Sequence, residues 1–307
     1  MSDQQKKIVY MGTPHYAEEI LHTLIEAEDM EVVLVITQPD RPVGRKKVMT
    51  PPPVKVTAQS HGIKVFQPQR LSEAGIKETI EAAAPDFIVV AAFGQLLPKS
   101  ILGIAPCINL HASLLPKYRG ASPVQQALLS GDKETGVTSM LMEEGLDTGP
   151  MLEKIVFEIP EEMRLYALMA QLTKDACTLT LSTLRNFDTI TPEPQNEAEA
   201  TLCKKIKKSD GEVDFSDAMK LYNKYRAFEG WPGIFTANGT KIDEVVLVDR
   251  NTIHRPFEIL GFEGDRVLVG CGRGSVKIGV LQPTSKKAVN AKAYCVGRGL
   301  KVGDTIV

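Results

Sequence analysis

The chain has 307 residues, of which 43% are hydrophobic and 24% are charged. This length suffices for two domains that each bury a core, and the composition is that of a soluble globular protein. The formal net charge of −2 and the isoelectric point near 6.3 exclude a global attraction to nucleic acid. A nucleic-acid partner would therefore have to bind a local basic patch.

Neither the N-terminus nor any apolar run of the sequence resembles a targeting or membrane segment. The first residues are polar, and no run approaches the ~20 apolar residues that cross a bilayer. We therefore expect a cytoplasmic protein with no membrane partner. The five cysteines are odd in number and form no CxxC pair, which argues against a disulfide framework or a zinc site. Cys107 lies in an apolar run, where a thiol usually behaves as a small hydrophobic group rather than a nucleophile.

The first half of the chain alternates predicted strands with predicted helices. Hydrophobic periodicity predicts helices over 14–27 and 164–186, and strands over 8–11, 31–36, 64–66, 86–92, 107–110, 136–143 and 152–159. Near-continuous runs of valine and isoleucine indicate strands that are buried on both faces. The pattern therefore predicts a Rossmann-like α/β domain, with a mostly parallel sheet covered by helices on both sides.

The second half of the chain has a different character. A polar segment with two prolines, 188–208, is interpreted as a linker between domain 1–187 and domain 209–307. Beyond it, one helix is predicted over 217–228. It precedes short β-like runs at 244–248, 257–260, 266–269 and 276–281, separated by turn residues. This pattern is typical of a small antiparallel β-barrel, here expected to be OB-like.

The most informative polar residues follow the strand at 107–110. Asn109 and His111 are two positions apart and therefore project from the same face of that strand. Asp147, flanked by Gly145 and Gly149, follows His111 by 36 positions. Amide and imidazole groups at a strand's C-terminal end lie where α/β proteins bind ligands, and they can donate to a developing oxyanion. Taken singly, each feature is more simply explained by a polar strand end or a capped turn.

Taken together, the Asn-x-His pair, the Ser-Leu-Leu-Pro loop at 113–116 and the glycine-flanked Asp147 resemble the formyltransferases that use 10-formyltetrahydrofolate. Further matching segments are at 12–14, 37–45, 94–98, 231–232 and 281–288. The resemblance implies a catalytic domain at 1–187 and an OB-like tRNA-binding domain at 209–307. It also implies that the acceptor is initiator methionyl-tRNA, the co-substrate 10-formyltetrahydrofolate and the active form a monomer.

The resemblance assigns roles to the three polar residues. The α-amino group of methionine must attack the formyl carbon on N10 of the folate, which creates a negatively charged oxygen. Asn109 and His111 are expected to donate hydrogen bonds to this oxygen. Asp147 is expected to hold the imidazole and to help carry a proton from the amine to N10. No metal is expected, because the formyl group is already activated.

The resemblance also implies where the folate binds. The pterin ring is expected between segments 91–97 and 142–147, with the 113–116 loop lining the site. The residues predicted to bind the folate are Phe93, Gly94, Leu96, Ser113, Leu114, Leu115, Pro116, Met142 and Glu144. For an apolar residue such as Leu96, membership of the core is the alternative reading.

The connection at 37–53 is unusually long, at 17 residues, and carries Arg41, Arg45, Lys46 and Lys47. Loops of this length without their own secondary structure are usually functional or disordered. A solvated charge run is the simpler reading, but the resemblance implies that this loop enters the acceptor stem and becomes ordered on binding, with Arg41 as the key cation. Additional phosphate contacts, and hence salt-dependent binding, are expected from Lys204, Lys205, Lys207, Lys208, Lys286 and Lys287.

Two other hypotheses remain open at this stage. The first is a folate-dependent N-formyltransferase for a small amine, such as glycinamide ribonucleotide or an amino sugar, which would need neither the basic loop nor the second domain. The second is a non-catalytic nucleotide- or RNA-binding protein on a Rossmann-like sheet. Against it, the turn at Gly12–Thr13–Pro14 lacks the G-x-G-x-x-G fingerprint.

Overall fold

The computed structural model describes residues 5–44 and 46–306, which group into two compact units. The first unit runs to Pro123 and also includes Glu134–Glu158 and Met169–Cys203. The second comprises Val124–Lys133, Ile159–Leu168 and the chain from Lys204 onward. The segment predicted as a linker, 188–208, is therefore divided: its first part packs with the first unit and its last residues with the second.

The first part of the chain contains all seven strands that the sequence indicates, within a few residues of their predicted limits. Its strands are β1 (Lys6–Gly12), β2 (Met30–Ile36), β3 (Arg41–Val43), β4 (Val48–Thr50), β5 (Val65–Phe66), β6 (Phe87–Ala91), β7 (Cys107–His111), β8 (Arg119–Gly120), β9 (Glu134–Leu141), β10 (Met151–Glu158) and β11 (Leu202–Cys203). Its helices are α1 (His15–Glu26), α2 (Pro53–Ser60), α3 (Ile76–Ala82), α4 (Lys99–Leu102), α5 (Pro123–Ser130) and α6 (Leu165–Asn186).

The central sheet of the first unit is mostly parallel, as predicted. Its strand order is β10-β9-β7-β6-β1-β2-β5, and the five strands from β7 to β5 are parallel. Strand β9 pairs antiparallel with β7, and β10 antiparallel with β9. Every residue of β6 and β7 is buried, since both lie inside the sheet. The prediction of a Rossmann-like α/β domain is confirmed.

A large apolar cluster covers part of this sheet and reaches the segments that follow β6. It includes Met11, Ile36, Phe93, Leu97 and Cys107, all of them buried. Because burying such a side chain stabilises a fold by about 1.5–3 kcal/mol, the cluster anchors the chain just beyond the strand ends. The loops that carry polar residues therefore start from a rigid base.

The 37–53 connection differs from the expectation of a loop without secondary structure. Strands β3 and β4 pair antiparallel and form a short hairpin. Its turn is made by Gly44 and Lys47, which have φ of +72° and +50°. The amide of Lys47 donates to the carbonyl of Gly44 at 3.2 Å. A positive φ at the glycine is favourable, because glycine has no Cβ.

The second unit is built on an antiparallel sheet preceded by one helix, which confirms the β-rich second half. Its elements are α7 (Ala218–Ala227), β12 (Ile234–Phe235), β13 (Lys241–Asp249), β14 (Ile259–Glu263), β15 (Arg266–Gly270), β16 (Ser275–Gln282), β17 (Val289–Asn290) and α8 (Ala291–Val296). The strand order is β12-β13-β16-β15-β14, with β17 beside β16. Closure of this sheet into an OB-like barrel stays a prediction. Among the helices of the described chain, none combines the length and apolar character needed to cross a bilayer.

Gly136 provides a test of the pairing between β9 and β10. A Cβ added there would lie 2.0 Å from the Ile155 carbonyl oxygen and 2.6 Å from Leu114 Cδ2. We expect Gly136→Ala to lower the free energy of unfolding by about 1–3 kcal/mol, because the two strands must move apart. Urea denaturation followed by circular dichroism measures this loss.

The matched control is Gly261→Ala in β14, where no atom of the described residues lies within 4 Å of an added Cβ. Equal denaturation midpoints for the two variants would show that the close approach at Gly136 does not constrain the sheet.

Candidate active site

Asn109 and His111 occupy the last part of β7, which lies between β6 and β9 in the sheet. The register pairs Asn109 with Met140 and His111 with Thr138 of β9. Only 8% of Asn109 and 6% of His111 is exposed. Buried polar side chains at a strand end require partners, and those partners define the site.

Asp147 lies in the loop between β9 and β10 and meets both residues. Its Oδ1 accepts a hydrogen bond from Asn109 Nδ2 at 3.4 Å. Its Oδ2 accepts from the amide of Gly120 at 2.8 Å and lies 3.7 Å from His111 Nδ1. The structure therefore brings the three residues singled out from the sequence into one cluster.

The second ring nitrogen of His111 has a backbone partner. Nε2 lies 2.9 Å from the carbonyl oxygen of Tyr118. Because a carbonyl oxygen only accepts hydrogen bonds, Nε2 carries a hydrogen and donates it. The other ring nitrogen, Nδ1, faces the Asp147 carboxylate at 3.7 Å. Donation from Nε2 to a ligand oxygen requires this hydrogen to leave the Tyr118 carbonyl.

The chain beside the cluster is closely packed around Gly120. This residue has φ of +115°, and a Cβ added to it would lie 2.4 Å from the carbonyl oxygen of Cys203. Strand β8, which contains Gly120, pairs in parallel with β11. Glycine is therefore required where the Asp147 carboxylate takes its backbone hydrogen bond. Burial raises the pKa of the nearby Cys203 thiol, which keeps this sulfur uncharged.

Gln195 and Arg119 belong to the site but carry no recognisable signal in the sequence. Gln195, within the predicted linker, donates through Nε2 to the carbonyl oxygens of Asp147 at 2.8 Å and Gly149 at 2.7 Å. Its Oε1 accepts from Nε of the buried Arg119 at 2.9 Å. A glutamine in a polar, proline-containing stretch looks like any solvated residue, so only the tertiary structure identifies it.

The residues predicted to bind the folate divide into accessible and buried ones. Leu96 is 66% exposed, and Gly94 and Glu144 are also exposed. Leu114 and Met142 are partly buried. These residues could contact a ligand without rearrangement.

The remaining predicted folate residues lie inside the protein. Phe93 belongs to the large apolar cluster, and Leu115 packs in a small cluster with two methionines. Ser113 is fully buried and its hydroxyl donates to the Lys117 carbonyl at 2.6 Å. Pro116 is buried as well. Their side chains therefore shape the loops rather than present a surface.

The two segments expected to enclose the pterin ring are linked in two places. Met142 packs against the apolar cluster that contains Phe93 and Leu97. At the surface, Lys99 Nζ lies 2.9 Å from Glu144 Oε1. The hydrogen bond with Glu144 raises the pKa of Lys99. Both side chains are well exposed. Segments 93–99 and 142–147 therefore stand side by side.

Neither a cysteine nucleophile nor a metal cluster is built into the described site. Cys107 is buried at the start of β7, and its Sγ donates to the carbonyl of Ala105 at 3.4 Å. Burial raises the pKa of Cys107 to about 12, which disfavours the reactive thiolate. Within the described ranges, no group of three or more histidine, cysteine or acidic residues could hold a metal ion.

Arg41 lies on strand β3, and Lys46 and Lys47 lie in the turn of the hairpin β3–β4. Arg41, Lys46 and Lys47 are exposed, whereas Arg45 lies outside the described residues. The guanidinium of Arg41 donates to Gln38 Oε1 at 2.9 Å. Exposed cations at a hairpin present charge to solvent without burying it, as a polyanion-binding surface requires.

The base of this hairpin is held by Asp40. Its carboxylate accepts hydrogen bonds from Gln67 at 2.7 Å and from Lys55 at 2.8 Å. The hydrogen bond from Gln67, followed by that from Lys55, lowers the pKa of Asp40. The hairpin therefore projects from a fixed base.

The lysines predicted to bind tRNA in the later part of the chain all belong to the second unit. They are exposed, as phosphate contacts require: Lys204, Lys205, Lys207, Lys208, Lys286 and Lys287. Lys207 precedes a short 3₁₀ helix, Lys208–Gly211, and its amide donates to Asp210 Oδ2 at 2.7 Å.

Comparison with known protein families finds two matches along the chain. Residues 6–184 match the family described as formyl transferase. Residues 205–299 match the family described as formyl transferase, C-terminal domain.

Two of the most similar relatives are named methionyl-tRNA formyltransferase. The protein from Sulfurovum sp. is 74% identical over 301 residues, which covers 98% of this chain and 99% of the relative. The protein from Nitratiruptor sp. is 53% identical over 301 residues, covering 97% and 99%.

Solved structures with the same fold are more distant in sequence. An N-formyltransferase from Helicobacter canadensis, in complex with folinic acid and dTDP-3-aminofucose, has a TM-score of 0.65 and 18% identity, covering 90% of this chain and 98% of that one. HypX from Aquifex aeolicus, in complex with tetrahydrofolic acid, has a TM-score of 0.63 and 18% identity, covering 97% and 48%. At these identities the likeness shows the fold alone.

Proposed function

The chain belongs to the formyl transferase family, and on that premise we propose that it formylates the α-amino group of methionine carried by initiator tRNA, with 10-formyltetrahydrofolate as the formyl donor. The product is N-formylmethionyl-tRNA for translation initiation. The observation that carries the proposal is the meeting of Asn109, His111 and Asp147 at the end of β7, in a chain 74% identical to a methionyl-tRNA formyltransferase.

The donor set fits the chemistry that the transfer requires. The folate brings an activated formyl group, whose carbonyl oxygen becomes negative when the amine attacks. Asn109 Nδ2 has two hydrogens, and its contact with Asp147 at 3.4 Å engages only one of them. The other is directed to the ligand oxygen. A fixed amide donor stabilises this charge better than water, because it needs no reorganisation.

His111 and Asp147 act as a pair in the proposed reaction. When the substrate binds, the hydrogen bond that His111 Nε2 donates shifts from the Tyr118 carbonyl oxygen to the ligand oxygen. The Asp147 carboxylate, 3.7 Å from Nδ1, holds the ring in place when Nδ1 also carries a hydrogen. Asp147 also helps to move a proton from the attacking amine to N10, directly or through water, as the bond between N10 and the formyl carbon breaks and tetrahydrofolate leaves.

The folate is proposed to bind between segments 91–97 and 142–147. Leu96, Leu114 and Met142 supply apolar contacts, and Gly94 and Glu144 complete the accessible surface. The other predicted residues (Phe93, Ser113, Leu115 and Pro116) support this wall from inside. Backbone groups of the two segments are available to the pterin ring's donors and acceptors.

The tRNA is proposed to bind the exposed cations. Arg41, Lys46 and Lys47 of the hairpin contact the acceptor end, and Arg45 is assigned to the same surface from the sequence. The lysines at 204–208 and 286–287 bind phosphates. Because the whole chain has a net charge of −2, attraction to the polyanion depends on these local clusters and weakens as salt is added.

Two finer features belong to the same proposal. We expect the enzyme to work in the cytoplasm, where aminoacylated tRNA is made. We also expect it to act as a monomer. Asn109, His111, Asp147 and Gln195 all come from the first unit of one chain, so a second copy is not needed to complete the cluster.

Transfer to different acceptors tests the proposal against its nearest rival. The protein is mixed with 10-formyltetrahydrofolate and either methionyl initiator tRNA or small amines, including amino-sugar nucleotides and free methionine. We expect formylation of the charged tRNA and little reaction with the small amines. Preferential formylation of a small amine would reject the proposed acceptor. No formylation at all would reject the proposed formyl transferase activity.

The roles of the three polar residues predict large effects on turnover. Asn109→Ala and His111→Ala should each lower kcat by about 10²–10³, because each removes a donor to the developing oxyanion. Asp147→Asn should also lower kcat. Binding of tRNA, measured by filter retention, should stay nearly unchanged.

The matched control is Asn186→Ala at the exposed end of α6, which should leave kcat at the wild-type value. Equal loss of tRNA binding and of turnover in the Asn109 and His111 variants would show that the cluster only maintains the fold.

The proposed role of the hairpin predicts that a change in it alters the use of methionyl-tRNA but not the binding of the folate. Arg41→Ala should lower kcat/KM for methionyl-tRNA by about tenfold or more and reduce the salt dependence of binding by about one counterion. The KM for the folate should not change. Arg70→Ala, which removes an exposed arginine outside the hairpin, is the control. An Arg41 variant with wild-type efficiency would remove the hairpin from substrate recognition.

A further inference from the structure

The segment 193–203, interpreted from the sequence as part of a linker, is packed against the candidate active site. The backbone of Glu193 exchanges two hydrogen bonds with Met151, both at 2.8 Å. Farther along, the amide of Arg119 donates to the Thr201 carbonyl at 2.9 Å and the amide of Ala121 to the Cys203 carbonyl at 3.2 Å. Both ends of the segment are therefore fixed to the first unit.

Between these two ends, Gln195 uses every polar group of its side chain. Its Nε2 donates to the carbonyl oxygens of Asp147 at 2.8 Å and Gly149 at 2.7 Å. Its Oε1 accepts from Arg119 Nε at 2.9 Å, which determines which end of the amide faces the Asp147 loop. An amide with both donors and its acceptor engaged has one orientation only.

Arg119 is itself held in place. Its side chain is almost completely buried, and its two terminal nitrogens donate to the carboxylate of Glu197 at 3.0 and 2.7 Å. A buried guanidinium needs such partners, because burying an unpaired charge is strongly unfavourable. Gln195 and Glu197 together accept hydrogen bonds from all three guanidinium nitrogens. The segment therefore cannot leave without exposing or unpairing this cation.

The consequence concerns Asp147. Its backbone has φ of +53°, a left-handed conformation that is uncommon for a residue with a Cβ, although aspartate adopts it more readily than most. Gln195 binds the main-chain oxygen of Asp147, while Gly120 binds its carboxylate at 2.8 Å. The carboxylate position relative to Asn109 and His111 therefore depends on both contacts.

We propose that Gln195 is a positioning residue for formyl transfer, which holds the Asp147 loop in the conformation that places the carboxylate beside His111 and Asn109. This inference rests on the proposed function, because it assigns Asp147 a part in the reaction. Gln195 touches no reacting atom. Its contribution is geometric, and displacing a catalytic group by about 1 Å can cost on the order of 10²-fold in rate.

The test separates geometry from folding. Gln195→Ala removes all three hydrogen bonds, whereas Gln195→Glu keeps the length and the contact with Arg119 but has no donor for the two carbonyls. We expect both variants to lower kcat by about 10- to 100-fold, with the KM for methionyl-tRNA and for the folate changed less than about twofold. Gln171→Ala, on α6 where Gln171 Nε2 donates to Asp175 Oδ1 at 3.0 Å, is the control and should keep wild-type kcat.

All variants are assayed well below the lowest unfolding midpoint of the set. Wild-type kcat in either Gln195 variant, or a rise in KM that accounts for the whole loss, would overturn the inference. Activity of the wild-type enzyme and its loss in Asp147→Asn are measured in the same experiment. If these two hold while the Gln195 variants remain fully active, the positioning role fails and the proposed function stands. If the wild type transfers no formyl group, the proposed function fails.

Discussion

A carboxylate that is mostly removed from water organises the candidate active site. The side chain of Asp147 is 13% exposed, and its two oxygens are bound by Asn109 Nδ2 and by the amide of Gly120. An ionised group in such a place needs hydrogen-bond partners, because it has given up hydration. The strand end, the loop after β9 and the turn at β8 must therefore come together for the site to be stable.

The partners of Asp147 have requirements of their own, and these extend the site outward. The Gly120 amide is presented by a backbone that passes too close to Cys203 for any side chain. The neighbouring Arg119 is buried, and its guanidinium is paired with Gln195 and Glu197. Each polar group therefore depends on the next one, and a loss at one point leaves another buried group unpaired. Such a network favours a single arrangement of the loop.

In the proposed function, the two substrates are recognised by different kinds of interaction. Apolar and backbone surfaces along 91–97 and 142–147 suit a flat ring system, and the buried polar cluster suits a carbonyl oxygen that gains charge. The exposed cations on the hairpin suit a polyanion. Because the hairpin is fixed at its base by Asp40, its charged residues are presented without depending on the buried network.

The sequence by itself determined most of the helices and strands. It also identified two motifs of the site, the Asn109–His111 pair and the glycine-flanked Asp147. The strands, the long helices and the same-face placement of Asn109 and His111 follow from periodicity, which depends only on neighbouring residues. The resemblance to folate-using formyltransferases also singled out Asp147. The tertiary structure alone decided that Asp147 meets β7, that 41–50 forms a hairpin and that Gln195 binds the Asp147 loop. These contacts join residues up to 48 positions apart, as for Gln195 and Asp147. They depend on strand order and on which buried polar groups need partners, and neither can be read from local composition.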